Sequence, residues 1–194
     1  MNKRQFRAID ITYASVFVAL TAIGANIASF APFLHFGNVT PTLQPFFAIL
    51  AGALLGSRLG AFSMLAYMVV GLAGAPVFAE FYSGLSALFT QTGGFIISYI
   101  FAAYIVGKIV ERKENPTLST FMVASYIGII FIYLFSVNYM YLALNTWINT
   151  PMSYKALWIF MGGFFIKDVI FTFLGGLIAP RFHALFKKTG FQKK

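Results

Sequence analysis

The sequence predicts an all-α integral membrane protein, and its composition and its apolar segments carry that prediction. Hydrophobic residues make up 59% of the 194 residues and charged residues only 10%, against about 25% charged in ordinary soluble domains. The mean hydropathy is +0.80, and apolar stretches near the length of a bilayer crossing recur along the chain. A soluble domain of this size leaves too much surface exposed to bury so many apolar side chains. We therefore expect residues 1–194 to form a single transmembrane domain.

Six apolar segments follow one another and predict six transmembrane helices. They run over about Ile11–Phe30, Leu43–Leu55, Ala61–Val77, Thr92–Val110, Leu118–Leu142 and Ala156–Ala179. The second segment is too short to cross upright at 1.5 Å rise per residue, so its ends are expected to lie within the protein. The only charge-dense loop, Glu111 to Pro116, marks the centre of the chain.

The distribution of Lys and Arg predicts the orientation in the membrane. With both termini in the cytoplasm, Lys155 falls outside, Lys167 lies in the membrane, and the rest of the 14 basic residues fall inside. Those inside are Lys3, Arg4, Arg7, Arg58, Lys108, Arg112, Lys113, Arg181, Lys187, Lys188, Lys193 and Lys194. The positive-inside rule therefore predicts both termini to be cytoplasmic. It also accounts for the net charge of +9, so no nucleic acid partner is expected.

The chain lacks the motifs of the common enzyme classes. No HExxH, GxSxG, GxxxxGK[ST] or CxxC is present, and there is no Cys at all, which excludes thiolate chemistry. His35, predicted in an outer loop, and His183, predicted in a cytoplasmic tail, fall on opposite sides and cannot share a site. We therefore expect no enzyme and no cofactor, and any active transport must take its energy from a partner.

The last apolar segment contains the residues that call for a functional explanation, Lys167 and Asp168. Charged groups at that depth cost several kcal/mol each unless they are paired, hydrated or in contact with a ligand. The pair is interpreted as part of a substrate site. A purely structural pair stays open, as does a helix that begins near Gly163 and places the carboxylate in its first turn.

Segments with broken backbone are predicted to converge on the outer side. TPTLQP (40–45) places Gln44 beside two prolines, GLAGAPVF (71–78) ends a helix, and TGG (92–94) begins another. Irregular backbone at membrane depth is tolerated where it lines a cavity or is buried in protein. Helix capping by Gln44 and close packing by the glycines are alternative roles.

These motifs together resemble one known family. LQPFFAILAGALLGSRLGAFSMLAYMVVGLAGAPVFA followed by SGLSALFTQTGGF resembles the BioY family, the biotin-binding S components of energy-coupling factor (ECF) vitamin transporters. The likeness covers most of the chain and is strongest from Thr42 to Phe95. It implies a six-helix bundle in the cell membrane that binds biotin and delivers it through a transmembrane T subunit and two ATPases.

The chain departs from the family pattern in three places. Thr40 stands where the family has a proline, and TQTGG replaces GPTGG. In the Asp-x-x-Lys motif of the sixth helix, Asp168 matches the acid but Phe171 stands at the lysine position, so Lys167 is the substitute. These departures leave lipoate, or another ring-bearing carboxylate, as an alternative ligand.

The resemblance also implies a set of binding residues. Asp168 is expected to accept a ureido N–H of biotin, and Lys167 either to meet the ligand carboxylate or to neutralise Asp168. Further expected contacts, polar and aromatic, are Thr42, Gln44, Asn138, Phe78, Phe81, Tyr82 and Tyr99.

The first helix carries small residues at helical spacing, Ser15, Ala19 and Ala22. Such spacing lets another helix approach closely, and in the family it resembles the contact with the T subunit. Packing within the chain is the alternative role. A stand-alone facilitator or secondary carrier is the alternative to an ATP-driven importer.

Overall fold

The computed structural model describes residues 7–30 and 39–188, and this part of the chain is helical, as predicted. His35 and the terminal basic residues Lys3, Arg4, Lys193 and Lys194 lie outside the described residues. The helices are α1 (Ala8–Asn26), α2 (Gln44–Leu55), α3 (Ser57–Leu72), α4 (Ser86–Phe89), α5 (Gly93–Glu111), α6 (Leu118–Thr146) and α7 (Tyr154–Lys188). Short 3₁₀ turns follow α1 and precede α4.

Four of the described helices are long and apolar enough to cross a membrane, namely α1 with its following turn, α5, α6 and α7. Helices α2 and α3 are equally apolar but have only 12 and 16 residues, fewer than the roughly 20 of a full crossing. The multi-pass membrane architecture follows from these helices. The count of six crossings stays a prediction.

The break between α2 and α3 occurs at Gly56, whose backbone has φ +85°, a conformation that favours glycine. The carboxylate of Glu111, at the end of α5, caps the start of α3. Its two oxygens accept hydrogen bonds from the Ser57 N–H and the Ser57 hydroxyl, both at 2.7 Å. A second glycine is required at position 52, where a Cβ would lie 2.3 Å from the Ala103 carbonyl oxygen. The AGALLGSRLGA motif therefore serves close packing of α2 and α3 against α5.

Helix α3 occupies a different range from the predicted span Ala61–Val77. It begins at Ser57 and ends at Leu72, because Gly74 has φ +108° and Pro76 cannot donate a helical hydrogen bond. Residues 73–92 therefore do not continue α3. They contain turns and the short helix α4, and part of this segment borders the cavity described below.

Helix α5 lies at the centre of the bundle and packs on α2, α3 and α6, while α7 packs on α6 and α2, and α1 on α2 and α3. Large side chains are fully buried along these contacts, among them Tyr99, Ile132 and Met140. The outer faces of α1 and α7 expose aliphatic side chains, for example Ile23 at 62% and Ile159 at 71%. Such faces suit contact with lipid hydrocarbon.

Helix α7 is longer at both ends than the predicted segment Ala156–Ala179. It continues through Pro180 to Lys188, so the prediction that His183 lies in a tail is wrong. The His183 ring instead packs 5.2 Å from the ring of Phe121 on α6.

Candidate functional site

A cavity of about 700 Å³ lies at the end of the bundle where α2 and α5 begin, within the 300–1,000 Å³ typical of small-molecule sites. Its wall comes from the segment before α2, the irregular segment 78–92, the first turns of α5, and the facing sides of α6 and α7. The burial of the lining side chains decreases from one end of the cavity to the other. Asp168, Tyr133, Tyr99 and Gln44 are at most 5% exposed, whereas Glu80, Tyr82, Phe89 and Thr150 are exposed. The first group forms the closed end and the second the mouth.

A buried carboxylate occupies the closed end. Asp168 Oδ2 accepts a hydrogen bond of 2.6 Å from the Tyr133 hydroxyl, and Asp168 Oδ1 lies 2.7 Å from the Lys167 ammonium nitrogen. Lys167 also donates a hydrogen bond to the Thr42 carbonyl, and each carboxylate oxygen has lone-pair capacity beyond the contact with Lys167 or Tyr133. The carboxylate is therefore charge-balanced but retains capacity to accept hydrogen bonds.

The pair lies deep within its helix. Because α7 begins at Tyr154, Lys167 is more than three turns from its start at about 3.6 residues per turn. The alternative that the helix begins near Gly163 is wrong, so the helix dipole does not account for the carboxylate.

Gln44 is part of a second polar group at the closed end. Its side-chain amide donates to the Tyr67 hydroxyl at 2.7 Å, and that hydroxyl donates to the Val77 carbonyl at 2.9 Å. The Gln44 amide is held in a fixed orientation by this chain, although it stands at the first position of α2. Gln44 therefore both anchors the segment after α3 and presents its amide to the cavity.

Apolar side chains form the walls between the closed end and the mouth. These are chiefly Phe78, Phe95, Ile96, Met161 and Phe164, and all five are at least nine-tenths buried. A mostly apolar wall with a few fixed polar groups is the usual construction of a small-molecule site.

The mouth is polar but carries no cation among the described lining residues. Thr40 donates a hydrogen bond to the Glu80 carboxylate, and the Thr90 and Thr92 hydroxyls lie 3.3 Å apart. Gln91 completes this polar rim.

The structure brings seven of the nine expected binding residues to this cavity. They are Thr42, Gln44, Phe78, Tyr82, Tyr99, Lys167 and Asp168. Their contact with a ligand stays a prediction.

Phe81 and Asn138 do not line the cavity, so the structure does not support their placement there. Glu80 and Phe81 both have left-handed backbone with φ 59°, the Phe81 N–H donates to the buried Asn26 side chain at 2.7 Å, and the Phe81 ring is 50% exposed. Asn138 lies on the outer face of α6 and donates to the Leu134 carbonyl of its own helix at 2.7 Å.

Sequence reasoning missed Tyr133 and the wall residues Phe95, Met161 and Phe164. Tyr133 is one of 10 Tyr in a chain that also has 24 Phe, so composition offers no signal that singles it out. Its contact with Asp168 depends on how α6 and α7 pack, 35 positions apart in the chain.

Phe171, which stands at the family's lysine position, faces elsewhere. Its ring packs edge-on to Phe46 with centroids 6.3 Å apart, and it is not among the lining residues. Lys167 is therefore the cation at the closed end.

On α1, Ser15 and Ala19 are exposed on one face. Ala22 instead packs partly against the buried cluster that contains Tyr67 and Phe78. Packing within the chain accounts for Ala22, and leaves Ser15 and Ala19 open to another helix.

Comparison with known proteins places this chain among transporters. The family model described as BioY matches residues 1–188. A "Putative biotin transporter BioYB" of Bacillus subtilis is 46% identical over 194 residues, which is 100% of this chain and 97% of that protein. A "Probable biotin transporter BioY" of Lysinibacillus sphaericus is 36% identical over 95% of this chain and 91% of its own length.

A solved structure shares the fold. The crystal structure of the S component for biotin from an ECF-type ABC transporter superposes with a TM-score of 0.67 at 22% identity and covers 91% of each chain. The relatives named here are transporters rather than enzymes, in agreement with the prediction that the chain is no enzyme. The resemblance seen in the sequence is confirmed, and the chain belongs to the BioY family.

Proposed function

We propose that this chain is the biotin-binding S component of an ECF-type importer. The observation that carries the proposal is the buried carboxylate at the closed end of the cavity, in a chain whose relatives are named biotin transporters. Biotin has a ureido ring with two N–H donors, and a carboxylate accepts such donors in hydrogen bonds about twice as strong as neutral ones.

The fit to biotin follows from the polar groups at that end. Asp168 Oδ1 accepts one ureido N–H, and the Gln44 amide meets a second polar atom of the ring. The apolar walls of Phe78, Phe95 and Phe164 enclose the bicyclic ring and the valeryl chain. The walls supply contact area and the polar groups set the orientation.

Lipoate is the competing ligand, and the closed end disfavours it. Its dithiolane ring has no N–H donor, so a lipoate placed there would add no hydrogen bond to those that Asp168 already accepts from Lys167 and Tyr133. A hydrogen bond to a charged group contributes about 1.5–3 kcal/mol, which a ureido ring gains here and a dithiolane does not. The site therefore favours a ureido ring over a dithiolane.

The membrane arrangement completes the proposal. Helices α2 and α3 count as the second and third of six crossings, both termini are cytoplasmic, and the cavity opens on the outer side of the cell membrane. A T subunit and two ATPases drive release inward. The charge distribution of the loops supports this orientation.

The proposal is tested by equilibrium binding of biotin to the purified chain in detergent, with lipoate as competitor. Trp147 is a built-in reporter, because its indole N–H donates to the carbonyl of Phe89 at 2.7 Å and Phe89 lines the mouth. Saturable biotin binding that a hundredfold excess of lipoate fails to displace is expected. Displacement by lipoate at equal concentration would make lipoate the ligand in place of biotin. If neither compound binds, the site assignment is wrong.

Energy coupling is tested in vesicles. Vesicles that contain this chain alone should not accumulate biotin, whereas vesicles that also contain the T subunit and the ATPases should do so with ATP. Accumulation by the chain alone would point to a stand-alone facilitator or secondary carrier.

The exposed face of α1 is proposed as the contact with the T subunit. Ser15→Trp combined with Ala19→Trp should abolish ATP-driven uptake and leave biotin binding to the isolated chain unchanged. The double substitution Ile130→Trp with Leu134→Trp, at exposed positions of α6 with the same spacing, is a matched control for added bulk. Loss of binding in the Ser15/Ala19 variant would contradict this assignment.

A further inference from the structure

We propose that the site recognises the ring of its ligand and not its free carboxylate, so that amides of biotin are ligands as well. This inference rests on the proposed function and concerns the chemistry of the cavity mouth. The ligand class it adds is biotin joined through an amide to a larger group, of which Nε-biotinyl-lysine is the simplest biological form.

Lys167 cannot serve both ends of the ligand. Its ammonium lies 2.7 Å from Asp168 Oδ1 and is also held by the Thr42 carbonyl. In biotin the ureido group and the carboxylate are separated by the fused ring and a four-methylene chain. With the ureido N–H on Asp168, the carboxylate lies away from Lys167, towards the mouth.

Among the described residues, the mouth has no other cation. Apart from Lys167, the described residues that line the cavity include no Lys or Arg, and Lys155, in the first turn of α7, is not among them. The segments 73–92 and 147–153 contain neither residue.

What the mouth does offer is neutral or negative. Thr90, Gln91 and Thr92 supply hydroxyl and amide groups that can both donate to the C=O and accept from the N–H of a neutral amide. Glu80 is exposed beside them, and its charge disfavours a nearby carboxylate. The positive end of α5, which begins at the buried Gly93, favours a nearby anion and so opposes the effect of Glu80.

Space is available for a longer ligand. The cavity of about 700 Å³ falls in the range that takes drug-sized molecules, which are larger than biotin. A group attached to the valeryl carbonyl would leave through the exposed rim of Glu80, Tyr82, Phe89 and Thr150. A rim that has no cation among the described residues and an open mouth together accept an amide-linked extension.

The test compares dissociation constants of biotin, biotin amide and Nε-biotinyl-lysine for the detergent-purified chain. Both amides are expected to bind within about tenfold of biotin, a difference of 1.4 kcal/mol. A loss greater than tenfold for biotin amide, with biotin still bound tightly, would overturn the inference and leave the proposed function standing. Failure of biotin itself to bind would instead contradict the proposed function.

A variant separates the two possible roles of Lys167. In Lys167→Met, biotin and biotin amide should lose affinity by the same factor, because Lys167 balances Asp168 and does not touch the carboxylate. Their affinity ratio should stay within about threefold of the wild-type ratio, which corresponds to about 0.7 kcal/mol. If biotin loses affinity selectively and the amide does not, Lys167 binds the carboxylate and the inference is wrong. Should the variant not fold, the wild-type ratio decides alone.

Discussion

Substitution of Asp168 by Asn tests the centre of the proposed site with almost no change in shape. The Tyr133 hydroxyl, 2.6 Å from Oδ2, can still donate to the amide oxygen of Asn. The bond from a ureido N–H loses its charged acceptor, which lowers its contribution from about 1.5–3 to about 0.5–1.5 kcal/mol. If the Asn NH₂ group faces the ligand, a donor meets a donor and about 1 kcal/mol more is lost.

The expected total of about 2–3 kcal/mol corresponds to roughly 30- to 150-fold weaker binding, at 1.4 kcal/mol per decade. Isothermal titration of the purified variant with biotin measures it directly, and its thermal unfolding shows whether the fold is retained. Glu114→Gln, in the loop before α6, removes a carboxylate away from the cavity and should leave affinity unchanged. Affinity within threefold of wild type in a folded Asp168→Asn protein would refute the assignment of Asp168 as the ureido acceptor.

Three further predictions concern stability, each measured by unfolding in detergent followed through intrinsic fluorescence. Gly52→Ala should destabilise the protein by about 3 kcal/mol or more, because the new Cβ would lie 2.3 Å from the Ala103 carbonyl oxygen and the backbones of α2 and α5 must separate. A loss of stability below about 1 kcal/mol would contradict the close packing. Glu111→Ala should lower the free energy of unfolding by about 2–4 kcal/mol, since the N–H and hydroxyl of Ser57 lose charge-assisted hydrogen bonds. Glu111→Gln keeps partners for both groups and should cost about 1 kcal/mol. Equal losses of stability in the two variants would argue against capping by the carboxylate. Thr172→Val should leave stability unchanged or raise it by up to about 1 kcal/mol, with unchanged biotin affinity, because the buried Thr172 hydroxyl has no hydrogen-bond partner among the described residues. A clear loss of stability would show that the hydroxyl has such a partner.

Properties that follow from composition and local chain chemistry could be predicted from the sequence. The apolar content excludes a soluble fold, so the helical membrane class was predictable from the bilayer's requirement that backbone groups be paired internally. Lys167 and Asp168 stood out for a similar reason, because charge is expensive within an apolar helix. The ordered motifs around Gly56 and Gly93 indicated the family.

Side-chain directions could not be predicted in the same way, because they depend on how each helix is rotated against its neighbours. One position on a helix turns a residue by about 100°, so Asn138 and Phe171 face away from the cavity although both lie on helices that line it. Phe81 turns outward because the left-handed backbone at Glu80 and Phe81 is held by Asn26, which lies 55 positions earlier.

What the sequence by itself determined is therefore the membrane class, the family and the presence of two charged residues within an apolar segment. Only the tertiary structure decided what that pair faces. The contacts of Asp168 with Tyr133 and of Lys167 with Thr42 join residues 35 and 125 positions apart. Pairings over such separations are set by the packing of whole helices, which no local pattern encodes.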